Sequence, residues 1–315
     1  MTIVNKHFPQ VLLFGNGLNI PFSGISWNEF LKKISCNKDL DPTKLNIPMP
    51  LKAILLTKNN IHNSLSQYKN DLYGKVESDI QREYLEKILS LEFDHILTTN
   101  YSYELEIASQ GSSGINDNCL KKLMKHTSSV KKAEGKYLLH TYNECDFKGH
   151  TNKIWHIHGE ARKQSSIILG HYYYAGLLCK IKKYLDDKGK EYYNKQIEGT
   201  KANINSWMDA FILGDVYVLG FGYDFSEFDL WWLLDRKEQE KANKGKVYYF
   251  TPEPYDLDEK LELLKIFNTV EIKHCGIKMP ATKEGCSNEF FEHFYDKAIS
   301  QIESMITADD GIKEN

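Results

Sequence analysis

An apolar run that ends in a tight glycine turn occupies residues 9–17, PQVLLFGNG. The run predicts a buried strand over 9–14, and Gly15, Asn16 and Gly17 follow it directly. Glycines at such a turn remove the Cβ atoms that would keep a ligand away from backbone amides. The third glycine of a complete G-x-G-x-x-G motif is missing, because position 20 is Ile. The turn alone is therefore equally compatible with a plain strand-to-helix connection.

Three more fragments of this kind follow further along the chain. Each stands at the end of an apolar run: Thr98-Thr99-Asn100, His156-Ile157-His158-Gly159 and Gly220-Phe221-Gly222-Tyr223. Ligands of open α/β sheets bind at the carboxyl ends of the strands, where helix N-termini and tight turns converge. We therefore expect the four fragments to meet at one sheet edge. Together they predict a nucleotide site that carries an Asn and a His of its own.

Strands alternate with helices along most of the chain, which indicates an α/β fold with a Rossmann-like, doubly wound parallel sheet. Ser26 and Glu29 have the spacing of a capping box and predict the start of a helix. Apolar runs predict strands at 9–14, 93–99, 154–158, 166–170, 215–219, 247–250 and 270–272. We expect a single domain over residues 1–315, with helical insertions at about 36–78, 111–150 and 172–200, the second of which could form a lid.

The composition excludes several classes of protein. No apolar stretch approaches the ~20 residues of a membrane helix, and the N-terminus lacks a signal-peptide layout, so we expect a cytoplasmic protein without a membrane partner. Three of the 40 basic residues are Arg, which argues against a dedicated nucleic-acid binder. The six Cys residues include no C-x-x-C pair, so we expect reduced cysteines and no bound zinc.

Two side chains in the fragments have the chemistry of a reactive site. The Asn100 amide can both donate and accept a hydrogen bond, which suits a ribose hydroxyl or a water molecule; alternatively, Asn100 caps a helix that begins after it. His158 lies at a strand end, where we expect its imidazole to face the cleft as a general base.

Other polar and aromatic residues near the fragments have simpler interpretations. His156 shares a strand face with His158, and we interpret it as structural, since a metal site on the two histidines lacks a third ligand at a recognisable spacing. Asp229 could reach a cleft group or only solvent. The aromatic stripe of Phe228, Trp231 and Trp232 indicates either core or a subunit interface.

The order of the four fragments resembles sirtuin-like proteins, which bind NAD in a Rossmann-type fold. The stretches GNGLNI at 15–20, NYSYELE at 100–106 and HIHG at 156–159 are similar to the bacterial sirtuin-like branch. That branch includes antiphage NAD hydrolases and AbiH-type abortive-infection proteins. The matching motifs are short and spread over residues 11–234.

The resemblance implies an NAD⁺ glycohydrolase that releases nicotinamide and ADP-ribose, and a role in antiphage defence by depletion of cellular NAD. Asn100 would orient the ribose or the water, and His158 would accept a proton. No cofactor is expected beyond NAD as substrate, and a homo-oligomer or a second defence protein would gate the activity. The residues expected to contact NAD are Gly15, Asn16, Gly17, Asn19, Thr99, Gly159, Gly220, Gly222 and Tyr223.

Two other functions remain open. One is a protein deacylase or ADP-ribosyltransferase, although the chain lacks the four-cysteine zinc module of deacylase sirtuins and has Ser102 where they carry Asp. The other is a nucleotide-sensing module that binds NAD or ADP-ribose and controls a partner. Asn19 also departs from the family, which commonly has Ser or Asp at that position.

Overall fold

The described residues form an α/β fold in which helices flank an eight-stranded mixed sheet. A computed structural model describes residues 8–22, 25–76, 78–128, 134–197, 203–241, 244–254, 256–281 and 286–311. The strands are β1 Gln10–Phe14, β2 His95–Thr98, β3 Met124–His126, β4 Thr141–Phe147, β5 His150–His156, β6 Asp215–Leu219, β7 Val247–Phe250 and β8 Val270–Lys273. The first six helices are α1 Trp27–Ile34, α2 Met49–Leu56, α3 Ile61–Ser66, α4 Lys69–Leu72, α5 Asp79–Leu89 and α6 Glu104–Ser109. The others are α7 Asp117–Leu123, α8 His171–Ile197, α9 Trp207–Leu213, α10 Phe228–Gln239, α11 Glu259–Leu264 and α12 Asn288–Gly311.

The sheet has the order β3-β4-β5-β2-β1-β6-β7-β8. Strands β5, β2, β1, β6, β7 and β8 are parallel to their neighbours in this row, whereas β3 and β4 pair antiparallel at one edge. The prediction of a parallel sheet is confirmed for the row of six and wrong for this edge. A two-residue turn with positive φ at Lys148 and Gly149 joins β4 to β5, and such turns connect antiparallel strands.

Segment 111–150 therefore does not form the helical insertion or lid that its polar sequence predicted. It contains α7 and the strands β3 and β4, which extend the sheet beyond β5. In the described parts of the other two segments, α2 to α4 lie within 36–78 and α8 covers most of 172–200.

Each face of the sheet carries its own hydrophobic core. In β1, Leu12 and Phe14 point into the core that packs against α1, α5, α6 and α12, while Val11 and Leu13 point into the core that packs against α8, α9, α10 and α11. All four side chains are buried. A central parallel strand must be covered on both faces, which explains why the first fragment is an uninterrupted apolar run.

Local signals predicted some elements correctly and others not. The capping box is present, because Ser26 Oγ accepts from Glu29 N and the Glu29 side chain accepts from Ser26 N. The strand predicted at 166–170 is wrong. This stretch is an irregular segment in which Ile167, Ile168 and Leu169 are buried, and Ile168 N donates to His158 O. The apolar run indicates only that these side chains are buried, and residues of an irregular segment can be buried as fully as those of a strand.

In the parts of the chain described above, no helix combines the length and the apolar character needed to cross a membrane.

Candidate functional site: an amide-lined cleft and a buried histidine network

The two predicted glycine turns touch each other where β1 and β6 end. Gly15 N donates to Leu219 O at 3.1 Å and Gly17 N donates to Gly220 O at 2.7 Å. A Cβ atom would lie 2.5 Å from Gly220 O at Gly15 and 2.6 Å from the same oxygen at Gly17. These glycines therefore allow the two turns to approach closely. Their N–H groups are used within the protein, so they do not provide free donors for a pyrophosphate.

A cleft of about 340 Å³ opens beside these turns, at the carboxyl ends of β1 and β2. Three residues predicted to contact NAD line it, namely Asn16, Asn19 and Thr99, together with Asn100, which was predicted to be catalytic. The wall also includes the aromatic side chains Trp27, Phe30 and Tyr101, the cations Lys33 and Lys75, and the acids Asp71 and Glu104. Amide, aromatic, cationic and acidic groups thus converge in one concavity, as is typical of a site for a polar small molecule with ring systems.

The backbone of Asn100 is fixed on both sides, whereas its side-chain amide is not. Asn100 N donates to Thr98 Oγ1 at 3.1 Å, and Asn100 O is 2.9 Å from His156 Nδ1. The residue is 8% exposed, and its Nδ2 atom is buried without a hydrogen-bond partner. Helix α6 has Tyr103 at its N-cap, so Asn100 is not the cap that the alternative interpretation required.

His156 holds the Asn100 loop in place. Its Nε2 atom lies 2.8 Å from Glu106 Oε1, which also accepts from Asn143 Nδ2 at 2.9 Å. Burial lowers the pKa of His156, but the carboxylates of Glu106 and Glu160 outweigh this effect and raise it to about 9. A protonated imidazole donates from both nitrogens, here to Asn100 O and to Glu106. This geometry agrees with the structural interpretation of His156.

A chain of side-chain amides also lines the cleft. Asn19 Nδ2 donates to Asn16 Oδ1 at 3.4 Å, and Gln81 Nε2 donates to Asn19 Oδ1 at 3.3 Å. The sequence analysis missed Gln81, which lies in the first turn of α5 and is buried. The available signal was a polar residue on the inward face of an amphipathic helix.

His158 does not face this cleft, and the prediction that it would is wrong. The residue is 1% exposed and follows β5 into a turn at Gly159, whose φ is +92°. Its Nε2 atom is 2.8 Å from Asp229 Oδ2, and its Nδ1 atom is 3.7 Å from Glu227 Oε2. Both carboxylates come from the start of α10. The apolar run that ends at His158 gave no indication of these partners, because they are 69 and 71 positions away along the chain.

Burial and charge oppose each other in this network. Burial lowers the pKa of His158, while Asp229 and Glu227 raise it, with a net increase to about 8. Burial raises the pKa of Glu227 to about 7. Tyr174 donates from its hydroxyl to Glu227 Oε2 at 2.9 Å. The network thus contains groups that exchange protons near neutral pH.

Tyr101 stands between the cleft and the network. Its ring lines the cleft, and its hydroxyl donates to Ile168 O at 2.9 Å. Burial raises the pKa of Tyr101, and the carboxylates of Glu227 and Asp229 raise it further, which indicates that the phenol lies close to both.

The remaining predicted contacts lie elsewhere. A Cβ atom at Gly159 would be 2.2 Å from Ser166 O, so this glycine is required by the turn itself. Gly222 and Tyr223 line a second cavity of about 580 Å³ on the β7 side, together with Thr251 and Asp258. The predicted residues are therefore divided between two cavities, one turn-to-turn contact and one buried network.

In the described parts of the chain, one group of side chains has the spacing needed to hold a metal ion. It consists of His158, Glu227 and Asp229, whose candidate ligand atoms lie within 4.8 Å of one another. His158 Nε2 and Asp229 Oδ2 are already joined by a direct hydrogen bond of 2.8 Å. We therefore interpret the three residues as a hydrogen-bonded His158–Asp229 pair with the Glu227 carboxyl beside it.

Comparison with models of known protein families gave no match, and comparison with curated proteins gave no match either.

Proposed function

We propose that the chain is an NAD⁺ glycohydrolase with a sirtuin-like, doubly wound nucleotide-binding fold. Among the six strands of the parallel row, the sheet order is third, second, first, fourth, fifth, sixth. That is the order of dinucleotide-binding sheets, in which the ligand binds where the strand order reverses. Here the reversal lies between β1 and β6, beside the cleft.

The unpartnered amide of Asn100 carries this proposal. A buried donor without a partner costs about 1–3 kcal/mol, so it is retained where a ligand or an ordered water satisfies it. Asn100 Nδ2 lies at the carboxyl end of a central parallel strand, in the wall of the cleft. A ribose hydroxyl or a water oxygen is the acceptor that matches it.

The other groups in the cleft support a nucleotide. Trp27 and Tyr101 offer aromatic surface for a base or a nicotinamide ring. Lys33 and Lys75 offer positive charge for a pyrophosphate. The Glu104 carboxyl, whose pKa burial raises, accepts a hydrogen bond from Ser102 Oγ and is a second polar group at this wall.

In the proposed reaction, the bond between ribose C1″ and the nicotinamide nitrogen breaks while a water oxygen bonds to C1″. The leaving nitrogen carries the positive charge and takes the bonding electrons, so nicotinamide departs neutral without an acid. The water loses one proton, for which His158 is the acceptor. Because Tyr101 separates the cleft from His158, this transfer requires Tyr101 to move or a water to bridge.

Incubation with NAD⁺, followed by measurement of released nicotinamide, tests the proposal. Asn100→Ala should lower turnover about 10²-fold or more, while NAD⁺ binding measured by calorimetry weakens by no more than roughly tenfold. Asn118→Ala is the matched control, because Asn118 is exposed on α7. Undiminished NAD⁺ cleavage by folded Asn100→Ala protein would reject the role of Asn100. Joint loss of binding and thermal stability would make Asn100 structural.

One observation favours a second function, a nucleotide-sensing module. Both ring nitrogens of His158 face carboxylates, and His158 is absent from the wall of the cleft. A sensor would bind NAD⁺ or ADP-ribose in the calorimetric titration and release no nicotinamide. The same two assays therefore separate the two functions.

We also propose that assembly gates the activity, as expected of an antiphage effector that depletes cellular NAD. Tyr172 is 75% exposed, and Trp231 and Trp232 are half-buried at the edge of one core. Aromatic groups with this exposure are enriched at interfaces. Light scattering at micromolar concentration should show a homo-oligomer. A monomer with full NAD⁺ turnover would contradict both the assembly and the gating.

A further inference from the structure

The His158 network draws its members from three parts of the fold. His158 follows β5, Glu227 is the N-cap of α10, and Asp229 lies in the first turn of that helix. Tyr174 comes from α8. The exposed fractions of the side chains are 1% for His158, 0% for Asp229 and 10% for Glu227. Glu227 is therefore the member of the trio that reaches toward solvent.

The hydrogen bond to Asp229 determines which nitrogen of His158 carries the proton in the neutral ring. A carboxylate only accepts hydrogen bonds, so at 2.8 Å from Asp229 Oδ2 the Nε2 atom must donate. Nδ1 is then the nitrogen with a free lone pair. Its separation of 3.7 Å from Glu227 Oε2 is too long for a hydrogen bond.

Asp229 is directed at His158 alone. Its other oxygen, Oδ1, is buried and has no hydrogen-bond partner. No second donor therefore reduces the attraction between this carboxylate and the imidazole. Buried carboxylates of this kind hold a histidine in one tautomer and stabilise the imidazolium that forms when it accepts a proton.

We propose that Asp229 is a positioning residue that holds His158 as the Nε2–H tautomer, so that Nδ1 accepts the proton of the reaction and Glu227 passes it on to solvent. This inference rests on the proposed NAD⁺ hydrolysis. The proton moves from the attacking water to His158 Nδ1, then to the Glu227 carboxylate and out to bulk water, so no charge accumulates over a turnover.

The groups around the trio are consistent with this path. Tyr101 packs from the loop after β2, Tyr174 from α8 and Tyr223 from the turn before α10. Burial raises the pKa of each of these phenols, so they remain neutral. Asp224 adds a further negative charge near Glu227, which favours the protonated form of Glu227 during the transfer.

The test combines ¹⁵N NMR of the histidine side chains with steady-state kinetics on the full chain. Protonated and unprotonated ring nitrogens have well-separated ¹⁵N shifts, and His158→Gln identifies the His158 signals. Above the His158 pKa of about 8, where the ring is neutral, wild type should show the Nε2–H tautomer. Asp229→Asn should lose the single tautomer, lower the His158 pKa, and reduce kcat by roughly 10²–10⁴-fold, as loss of tautomer control does in serine-protease triads. Asp235→Asn, an exposed position on the same helix, should change none of these.

Distinct outcomes separate the inference from the function on which it rests. An Nδ1–H tautomer in wild type, or an unchanged tautomer and pKa in Asp229→Asn, would overturn the role of Asp229 even if NAD⁺ is cleaved. Tautomer control without any NAD⁺ cleavage by wild type would reject the hydrolase and leave Asp229 as the residue that positions His158. If Asp229→Asn does not fold, the wild-type tautomer alone decides.

Discussion

Replacement of Gly17 by Ala tests whether the glycine turns serve mainly to pack against each other. A methyl group at position 17 would lie 2.6 Å from Gly220 O and 2.9 Å from Tyr295 Oη. Relief of this overlap costs about 1–3 kcal/mol. It also stretches the 2.7 Å hydrogen bond from Gly17 N to Gly220 O, a bond worth about 1 kcal/mol. Reduced entropy of the unfolded chain returns about 0.4–1 kcal/mol.

The expected net loss for Gly17→Ala is thus about 1–3.5 kcal/mol, which for a chain of 315 residues corresponds to a fall in Tm of roughly 2–5 °C. Gly222→Ala is the matched control, because a Cβ atom there meets nothing within 4 Å. We expect its Tm to equal or slightly exceed that of wild type. Circular dichroism melts of the three proteins measure the difference. Equal Tm values for Gly17→Ala and Gly222→Ala would refute the turn-packing argument.

Three further predictions concern the buried groups. Burial raises the pKa of Glu227 from its usual 4.5 to about 7, so its contribution to stability is complete below pH 4.5 and is lost as the pH rises through 7. The unfolding free energy of wild type should therefore fall between pH 5 and 8, and in Glu227→Gln this fall should be about 3 kcal/mol smaller. Identical pH dependence in wild type and variant would contradict this. Lys237 is fully buried and donates to the carbonyls of Phe211, Ile212 and Gly214 at 2.7–3.1 Å. Lys237→Met should therefore cost about 2–4 kcal/mol in denaturant unfolding, whereas the exposed Lys241→Met should cost less than about 0.5 kcal/mol. Elemental analysis should find no stoichiometric zinc, and one zinc per chain would mean that the His158–Asp229 hydrogen bond is replaced by coordination.

Much of the candidate site was predictable because its signals are local. The strand at β1 follows from an apolar run, the start of α1 from the spacing of Ser26 and Glu29, and the place of Asn100 from the end of the β2 run. Each of these depends on residues within a few positions of one another. Side-chain caps and the pattern of apolar residues act over such short distances, so they can be recognised without the tertiary structure.

The antiparallel edge was less evident from sequence. Only the pair Lys148 and Gly149 marks the hairpin between β4 and β5, and the polar pattern of 111–150 resembles that of an exposed insertion. A strand at the edge of a sheet buries fewer side chains than a central strand, so its hydrophobic pattern is weaker.

The amino-acid sequence by itself determined the strand ends, the helix caps and the presence of an Asn and a His at successive strand ends. Only the tertiary structure decided that Asn100 lines a cleft while His158 is buried against Asp229 and Glu227. The physical reason is distance along the chain. The partner of His158 is 71 positions away, and only the tertiary structure brings the first turn of α10 beside the residue that follows β5. The periodicity of apolar residues in the sequence indicates that a side chain is buried, but only the three-dimensional packing determines which charged groups lie beside it.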